Sequence, residues 1–215
     1  MIFMSAASVL FAALSPALPA ETVRLFDGKS LTGWTMDIPD ADKDPTVAKP
    51  FLVRDGVLVS LGKPMGHLVT DGAYENYKLV VEYRFVKEAG NSGVIVHVSK
   101  LRALNNFLPQ GIECQLRSGN AGDFHLFNET LKQRGTQTEA NARRLVNFTD
   151  NSEKPIGEWN RMEIECKEDT IKVWVNGDLV NDGYESSVRR GRIAIQSEGT
   201  EIEFRKIDLT PLAKP

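Results

Sequence analysis

Glu113, Gln115 and Arg117 occupy alternate positions of one short segment, separated by Cys114 and Leu116 and preceded by Ile112. Side chains alternate across a strand, so this spacing predicts one apolar face and an opposite face carrying a carboxylate, an amide and a guanidinium. The segment runs on into Gly119-Asn120-Ala121-Gly122-Asp123 and then His125. A carboxylate or an imidazole can move a proton, and amides and guanidinium groups hold hydroxyls or developing negative charge.

Similar alternation recurs elsewhere. Leu79, Val81, Tyr83 and Phe85 alternate with Glu82 and Arg84. Val94, Val96 and Val98 alternate with Ile95, His97 and Ser99, while Ile193 and Ile195 alternate with Ala194, Gln196 and Glu198. If these strands share a sheet, their polar faces form one surface of Glu82, Arg84, His97, Glu113, Gln115, Arg117, Gln196 and Glu198. A solvated sheet face is typically built from Thr, Lys and Ser, so this mixture suits a polyhydroxylated ligand. Each residue also has a simpler reading. Glu113 can pair with Arg84 or Arg117 across strands, His97 can face solvent, and His125 can cap its glycine-rich loop. His67 reads as structural, and Trp34, Trp159 and Trp174 read as packing residues.

The elements that position these groups are strands. Asp55-Gly56 between Phe51–Val53 and Val57–Val59 predicts a tight hairpin, as does Asn176-Gly177 before Leu179-Val180. Further strands are expected at His67–Thr70, Tyr77–Val86, Gly93–Ser99, Ile112–Arg117, Asn160–Glu168, Thr170–Asn176, Arg192–Gln196 and Ile202–Leu209. Only Thr138–Leu145 hints at a helical period. Short strands with regular turn signals predict an all-β sandwich or jelly roll. Two insertions interrupt it, 37–50 and 118–158, and loops of that length tend to carry function or to be disordered. The second holds Asp123, His125, Arg134, Arg143 and Arg144.

Size and charge narrow the function classes. The chain has 215 residues, 41% hydrophobic and 26% charged, and suits one domain, expected over 21–215. A net charge of −3 offers no basic surface for nucleic acid or an anionic membrane, and no segment has the length of a membrane span. Residues 1–20 are mostly apolar or small and end in Leu18-Pro19-Ala20, which predicts an export signal and a secreted or periplasmic protein, although no Lys or Arg precedes Arg24. Cys114 and Cys166 both fall in the apolar phase of strands, so two buried thiols are expected rather than a disulfide.

Taken in order, the segments resemble the 3-keto-disaccharide hydrolase domain family over about Val23 to Leu212. The carriers are Leu25-Phe26-Asp27-Gly28-Lys29-Ser30-Leu31-Thr32-Gly33-Trp34, Asn91-Ser92-Gly93-Val94, Ile112-Glu113-Cys114-Gln115, Gly157-Glu158-Trp159-Asn160 with Glu163, Val173-Trp174-Val175-Asn176-Gly177, and Phe204-Arg205-Lys206-Ile207. Many members have His where this chain has Glu198. The resemblance implies a concanavalin A-like jelly roll of two antiparallel sheets. It also implies cleavage of mono- or disaccharides oxidised at C3, by removal of the C2 proton, elimination and hydration. Glu113 or His97 would be the base, and a cation, Arg117 or Arg144 would hold the enolate oxygen. Glu82, Arg84, Gln115, Arg117, His125, Arg144, Gln196 and Glu198 are the expected substrate contacts. A divalent metal is a candidate cofactor, with Asp123 and His125 as its candidate ligands alongside His97 and Glu113. Two other functions remain open: a non-catalytic carbohydrate-binding module, and a retaining glycosidase. The latter needs two carboxylates about 5–5.5 Å apart. The Glu113-Cys114-Gln115 run has an amide at the second position, so Glu82 or Glu198 would have to supply the partner.

Overall fold

A computed structural model describes residues 21–135, 143–149 and 151–213. The expected export segment lies outside the described residues, as does most of the stretch with a helical hint. That stretch's end, Arg144–Leu145, is a short strand.

Sixteen strands occur among the described residues: β1 (Val23–Arg24), β2 (Trp34–Asp37), β3 (Phe51–Arg54), β4 (Val57–Ser60), β5 (Gly66–Thr70), β6 (Tyr77–Phe85), β7 (Gly93–Leu104), β8 (Leu108–Gln115), β9 (Phe124–Phe127), β10 (Lys132–Gln133), β11 (Arg144–Leu145), β12 (Asn160–Lys167), β13 (Thr170–Val175), β14 (Asp178–Tyr184), β15 (Arg192–Ser197) and β16 (Ile202–Pro211). A 3-10 turn spans Pro39–Asp42. No helix is long and apolar enough to cross a membrane among the described residues.

The strands form two antiparallel sheets. One has nine strands in the order β10-β14-β13-β12-β6-β16-β4-β3, with β1 beside β16. The other has seven, in the order β11-β9-β8-β7-β15-β5-β2. The turns that the sequence announces are formed: Asp55 and Gly56 have φ of 51° and 80°, Asn176 and Gly177 of 51° and 99°. Two positive φ values match the twist of the flanking strands, and Asn, Asp and Gly tolerate them best.

Alternation seals the sandwich. Strand β6 is buried at every odd position from Tyr77 to Phe85. Those side chains join Val94, Val96, Ile112, Cys114, Phe124, Met162, Ile164 and Phe204 in one apolar cluster between the sheets. Burying a large apolar side chain contributes about 1.5–3 kcal/mol, so this layer is the main stabilising element. Cys114 and Cys166 are both buried free thiols within it.

Two sequence expectations need correction. β6 belongs to the nine-stranded sheet, whereas β7, β8 and β15 belong to the other. Glu82 and Arg84 therefore lie on the far side of the sandwich from Glu113. There Glu82 accepts from Arg205 Nε at 2.6 Å, and Arg84 Nε donates to Glu203 at 2.8 Å. Arg84 and Arg205 also lie 4.5 and 4.6 Å from the centroid of Trp159, which makes that tryptophan a packing residue.

The second correction is His97. Arg192 pairs with Val98 but Ala194 pairs with Ile95, so Val96 and His97 together oppose Ile193. This is a β-bulge, and His97 adopts φ of 56°. The extra residue reverses the phase and turns His97 inward, where its ring meets Tyr77 edge-on at 5.9 Å. His97 is only 1% exposed, and neither ring nitrogen has a hydrogen-bond partner in good geometry. Burial lowers its pKa from 6.5 to about 4, with the Val188 backbone opposing the shift. A buried neutral imidazole is not a base placed against a ligand.

That environment has a pH consequence. The unfolded chain takes up a proton near pH 6.5 and the folded chain only near 4, so stability should fall as pH drops through this window, by up to about 3 kcal/mol from His97. His67 is buried in the same way and adds a parallel loss. His97→Asn, which tolerates the left-handed backbone, should flatten this acid-side slope in urea denaturation run at a series of pH values.

Candidate active site

The outer face of the seven-stranded sheet brings the remaining groups together. Cross-strand pairing sets Thr35, Val69, Ala194, Ile95, Glu113, His125 and Arg144 in one row across the sheet. A parallel row holds Asp37, His67 and Gln196, and Gly93 is paired with Gln115. The first row is apolar over β5, β15 and β7 and polar over β8, β9 and β11.

Glu113 sits at the boundary. It is 2% exposed, and its Oε1 has no hydrogen-bond partner. Its Oε2 lies 3.8 Å from His125 Nδ1. Burial first, and then the negative charge of Glu198, push its pKa up from 4.5 to about 8. A carboxyl held near neutrality is suited to proton transfer in either direction.

The Asn91-Ser92-Gly93 motif makes room for this carboxyl. A Cβ on residue 93 would collide with the Glu113 carboxylate. Ser92 Oγ donates to the Gln196 carbonyl at 2.8 Å, and Asn91 bridges to Glu198. Asn91 Oδ1, Gln196 Oε1 and Glu113 Oε1 are all buried without partners. Such atoms are costly unless something satisfies them, and each can accept a hydrogen bond from a donor brought to this face.

His125 and the arginines form the open side. Burial lowers the His125 pKa, Asp123 opposes this, and Arg144 and Arg117 reinforce it. Arg144 is anchored by Asp123, which accepts from Nε at 2.7 Å, yet its side chain remains 47% exposed. Arg117 is exposed just beyond β8. Gln115 is buried, and its Oε1 accepts from the Leu116 and Arg117 backbone at 2.8 Å each. Its carbonyl end therefore braces the turn, and only the amide nitrogen is left to reach a ligand.

The residues do not fit the candidate metal. Asp123 spends one oxygen on Arg144 and the other on the Asn147 N–H at 2.7 Å. No group of three or more His, Cys, Asp or Glu side chains arranged for a metal occurs among the described residues.

The outer face thus gathers Glu113, Gln115, Arg117, His125, Arg144, Gln196 and Glu198 and leaves out Glu82, Arg84 and His97. It adds His67, 0% exposed with both ring nitrogens unpartnered. His67 was legible in principle, because it alternates with Leu68 in the phase opposite the core. Asn91 belongs to no regular strand, so alternation gave no sign of it.

The 3-keto-disaccharide hydrolase family profile, described as a 3-keto-alpha-glucoside-1,2-lyase-like domain, matches residues 21–210. No curated protein matches the chain. A glycosyl hydrolase candidate from Parabacteroides distasonis is 22% identical, with a TM-score of 0.63 over 89% of this chain and 94% of that one. The carbohydrate-binding module CBM66 from Bacillus subtilis is 12% identical, with a TM-score of 0.58 over 83% and 96% of the two chains. A β-glucanase from Bacillus licheniformis is 11% identical, with a TM-score of 0.56 over 90% and 99%. These structures share the jelly-roll fold, which is common to hydrolases and binding modules alike.

The raised Glu113 pKa sets a second slope. The unfolded carboxyl ionises near 4.5 but the folded one only near 8. The stability this group contributes is complete below 4.5 and is lost as pH rises to 8, by an amount on the order of 3–5 kcal/mol. Glu113→Gln should remove that loss, read as a flatter alkaline side in denaturation midpoints between pH 5 and 8.

Proposed function

The chain belongs to the 3-keto-alpha-glucoside-1,2-lyase-like domain family, and on that premise we propose that it cleaves 3-keto-glycosides, with Glu113 as the proton-transfer group. The observation that carries this reading is the buried Glu113 carboxyl, raised to about 8, on a face lined with unpartnered polar atoms.

The chemistry follows from the ketone. A carbonyl at C3 acidifies the C2 proton, and ionised Glu113 removes it to give an enolate. Arg144 and Arg117 are the cations on the open side that offset the charge on the C3 oxygen. The enolate collapses, the C3 carbonyl re-forms, a C1–C2 double bond forms and the C1–O bond breaks. The proton on Glu113 passes through His125, 3.8 Å away, to the leaving oxygen. Water then adds: Glu113 takes one proton from it, hydroxide bonds to C1, and Glu113 returns the proton to C2. The sum is hydrolysis, and the carboxylate is regenerated. Gln196 and Asn91 bind ring hydroxyls, and Glu198 tunes Glu113 by its charge. The substrate is an oxidised mono- or disaccharide glycoside met outside the cytoplasm, as the apolar N-terminal segment suggests.

A retaining glycosidase would need a second carboxylate close to Glu113. Glu82 is on the other sheet, which leaves Glu198 for that role.

The test is release of the leaving group from a 3-keto-glucoside and from its unoxidised parent. Only the keto sugar should be cleaved, with kcat/KM rising along an acid limb of apparent pKa about 8. Glu113→Gln should lower kcat by roughly 100-fold or more while the sugar still binds. Binding of both sugars without turnover of either would make the chain a binding module and Glu113 a ligand contact.

A further inference from the structure

The hairpin between β7 and β8 outruns its regular ladder. Pairing is continuous from Gly93–Gln115 to Val96–Ile112, then shifts between Val96 and Lys100 and again between Lys100 and Leu104. Such irregularities bend a two-stranded ribbon. Here the bend lays the ribbon back over the outer face of its own sheet. Leu101, Leu104 and Leu108 pack on a small apolar cluster of Val69, Ile95, Val98, Phe127 and Ala194, separate from the main core. Val69, Ile95 and Ala194 are 0% exposed beneath it. At the tip, Phe107 packs on His67 with ring centroids 5.0 Å apart and the planes tilted by 39°.

The ribbon is also fastened. Arg102, at φ of 53°, donates from Nε to Asp37 Oδ1 at 2.7 Å, and its guanidinium pairs with Asp42 of the 3-10 turn. Asp37 ends β2, the far edge strand. The ribbon therefore crosses β15 and β5 and is tied down at β2. Among the described residues the side over β8, β9 and β11 stays open, with His125 33% and Arg144 47% exposed. Neighbouring strands are about 4.8 Å apart, so these three span roughly 10 Å, the length of about two pyranose units.

We propose that the β7–β8 ribbon is the end wall of the sugar site, and that Arg102 is the positioning residue that holds it shut. The wall keeps the face from seating a continuous glycan and limits recognition to one or two units beside Glu113. This rests on the reading of that face as a 3-keto-glycoside site. It goes further by naming what sets substrate length. Arg102, Phe107 and the three leucines touch no reacting atom; they act by occupying the half of the face that an extended chain would need.

The experiment compares kcat/KM for 3-keto-malto-oligosaccharides of two to six units, oxidised at the non-reducing-end glucose. For the unmodified chain the value should stay level beyond two units, where a further occupied subsite would raise it roughly tenfold. In Arg102→Ala the ratio of six-unit to two-unit kcat/KM should rise severalfold, with a melting temperature confirming that the variant folds. Phe107→Ala loosens the tip without touching the ion pairs and serves if Arg102→Ala does not fold. A steady climb with length in the unmodified chain would overturn the wall alone, as would a folded variant that keeps the flat profile. Failure of the unmodified chain to cleave any of these sugars would overturn the site reading and the wall with it.

Discussion

Tyr77, Leu79, Val81, Tyr83 and Phe85 of β6 share one apolar layer with Val94, Val96, Ile112 and Cys114 of the opposite sheet, and this layer holds the two sheets face to face. Because it consumes the inner side of these strands, most of their polar groups are left to the two outer faces, with His97 turned inward. The nine-stranded sheet fills its outer face with ion pairs such as Glu82 with Arg205 and Arg84 with Glu203. These pairs are partly buried on the carboxylate side, and each commits its carboxylate to a guanidinium. The seven-stranded sheet does the opposite. Its outer face is partly roofed, and several of its polar atoms are buried without partners.

That difference gives the two faces different electrostatics. Burial works against the Glu82 anion, but Arg205, Lys206 and Arg161 outweigh it and hold the carboxyl below its usual range, whereas Glu113 has a neutral imidazole beside it and another carboxylate in range. Withholding a cation from a buried carboxyl costs stability and yields a group that exchanges protons near neutral pH. Gly93 is part of the same design, since only a residue without a side chain leaves that carboxyl its space. The site is thus a consequence of packing as much as of residue identity.

Backbone irregularities decide which residues join it. One bulge turns His97 away from the outer face and into the core, and further irregularities in the same strand fold the β7–β8 ribbon over that face. Two-residue alternation predicts neither, because each inserted residue resets the phase.

Much was legible from the chain alone. The alternation of β6, β8, β12 and β15 and the Asp55-Gly56 and Asn176-Gly177 turns define an all-β sandwich, since period and turn chemistry are local properties of the backbone. The same local rule put Glu113 opposite Cys114, with Gln196 and Glu198 in the polar phase of their own strand. Only the tertiary structure decided which strands share a sheet, and so removed Glu82 and Arg84 from the site. It alone reversed His97, brought in His67 and Asn91, and engaged Asp123 with Arg144. Those outcomes depend on pairing between residues far apart in the chain and on burial, which no single strand's pattern contains.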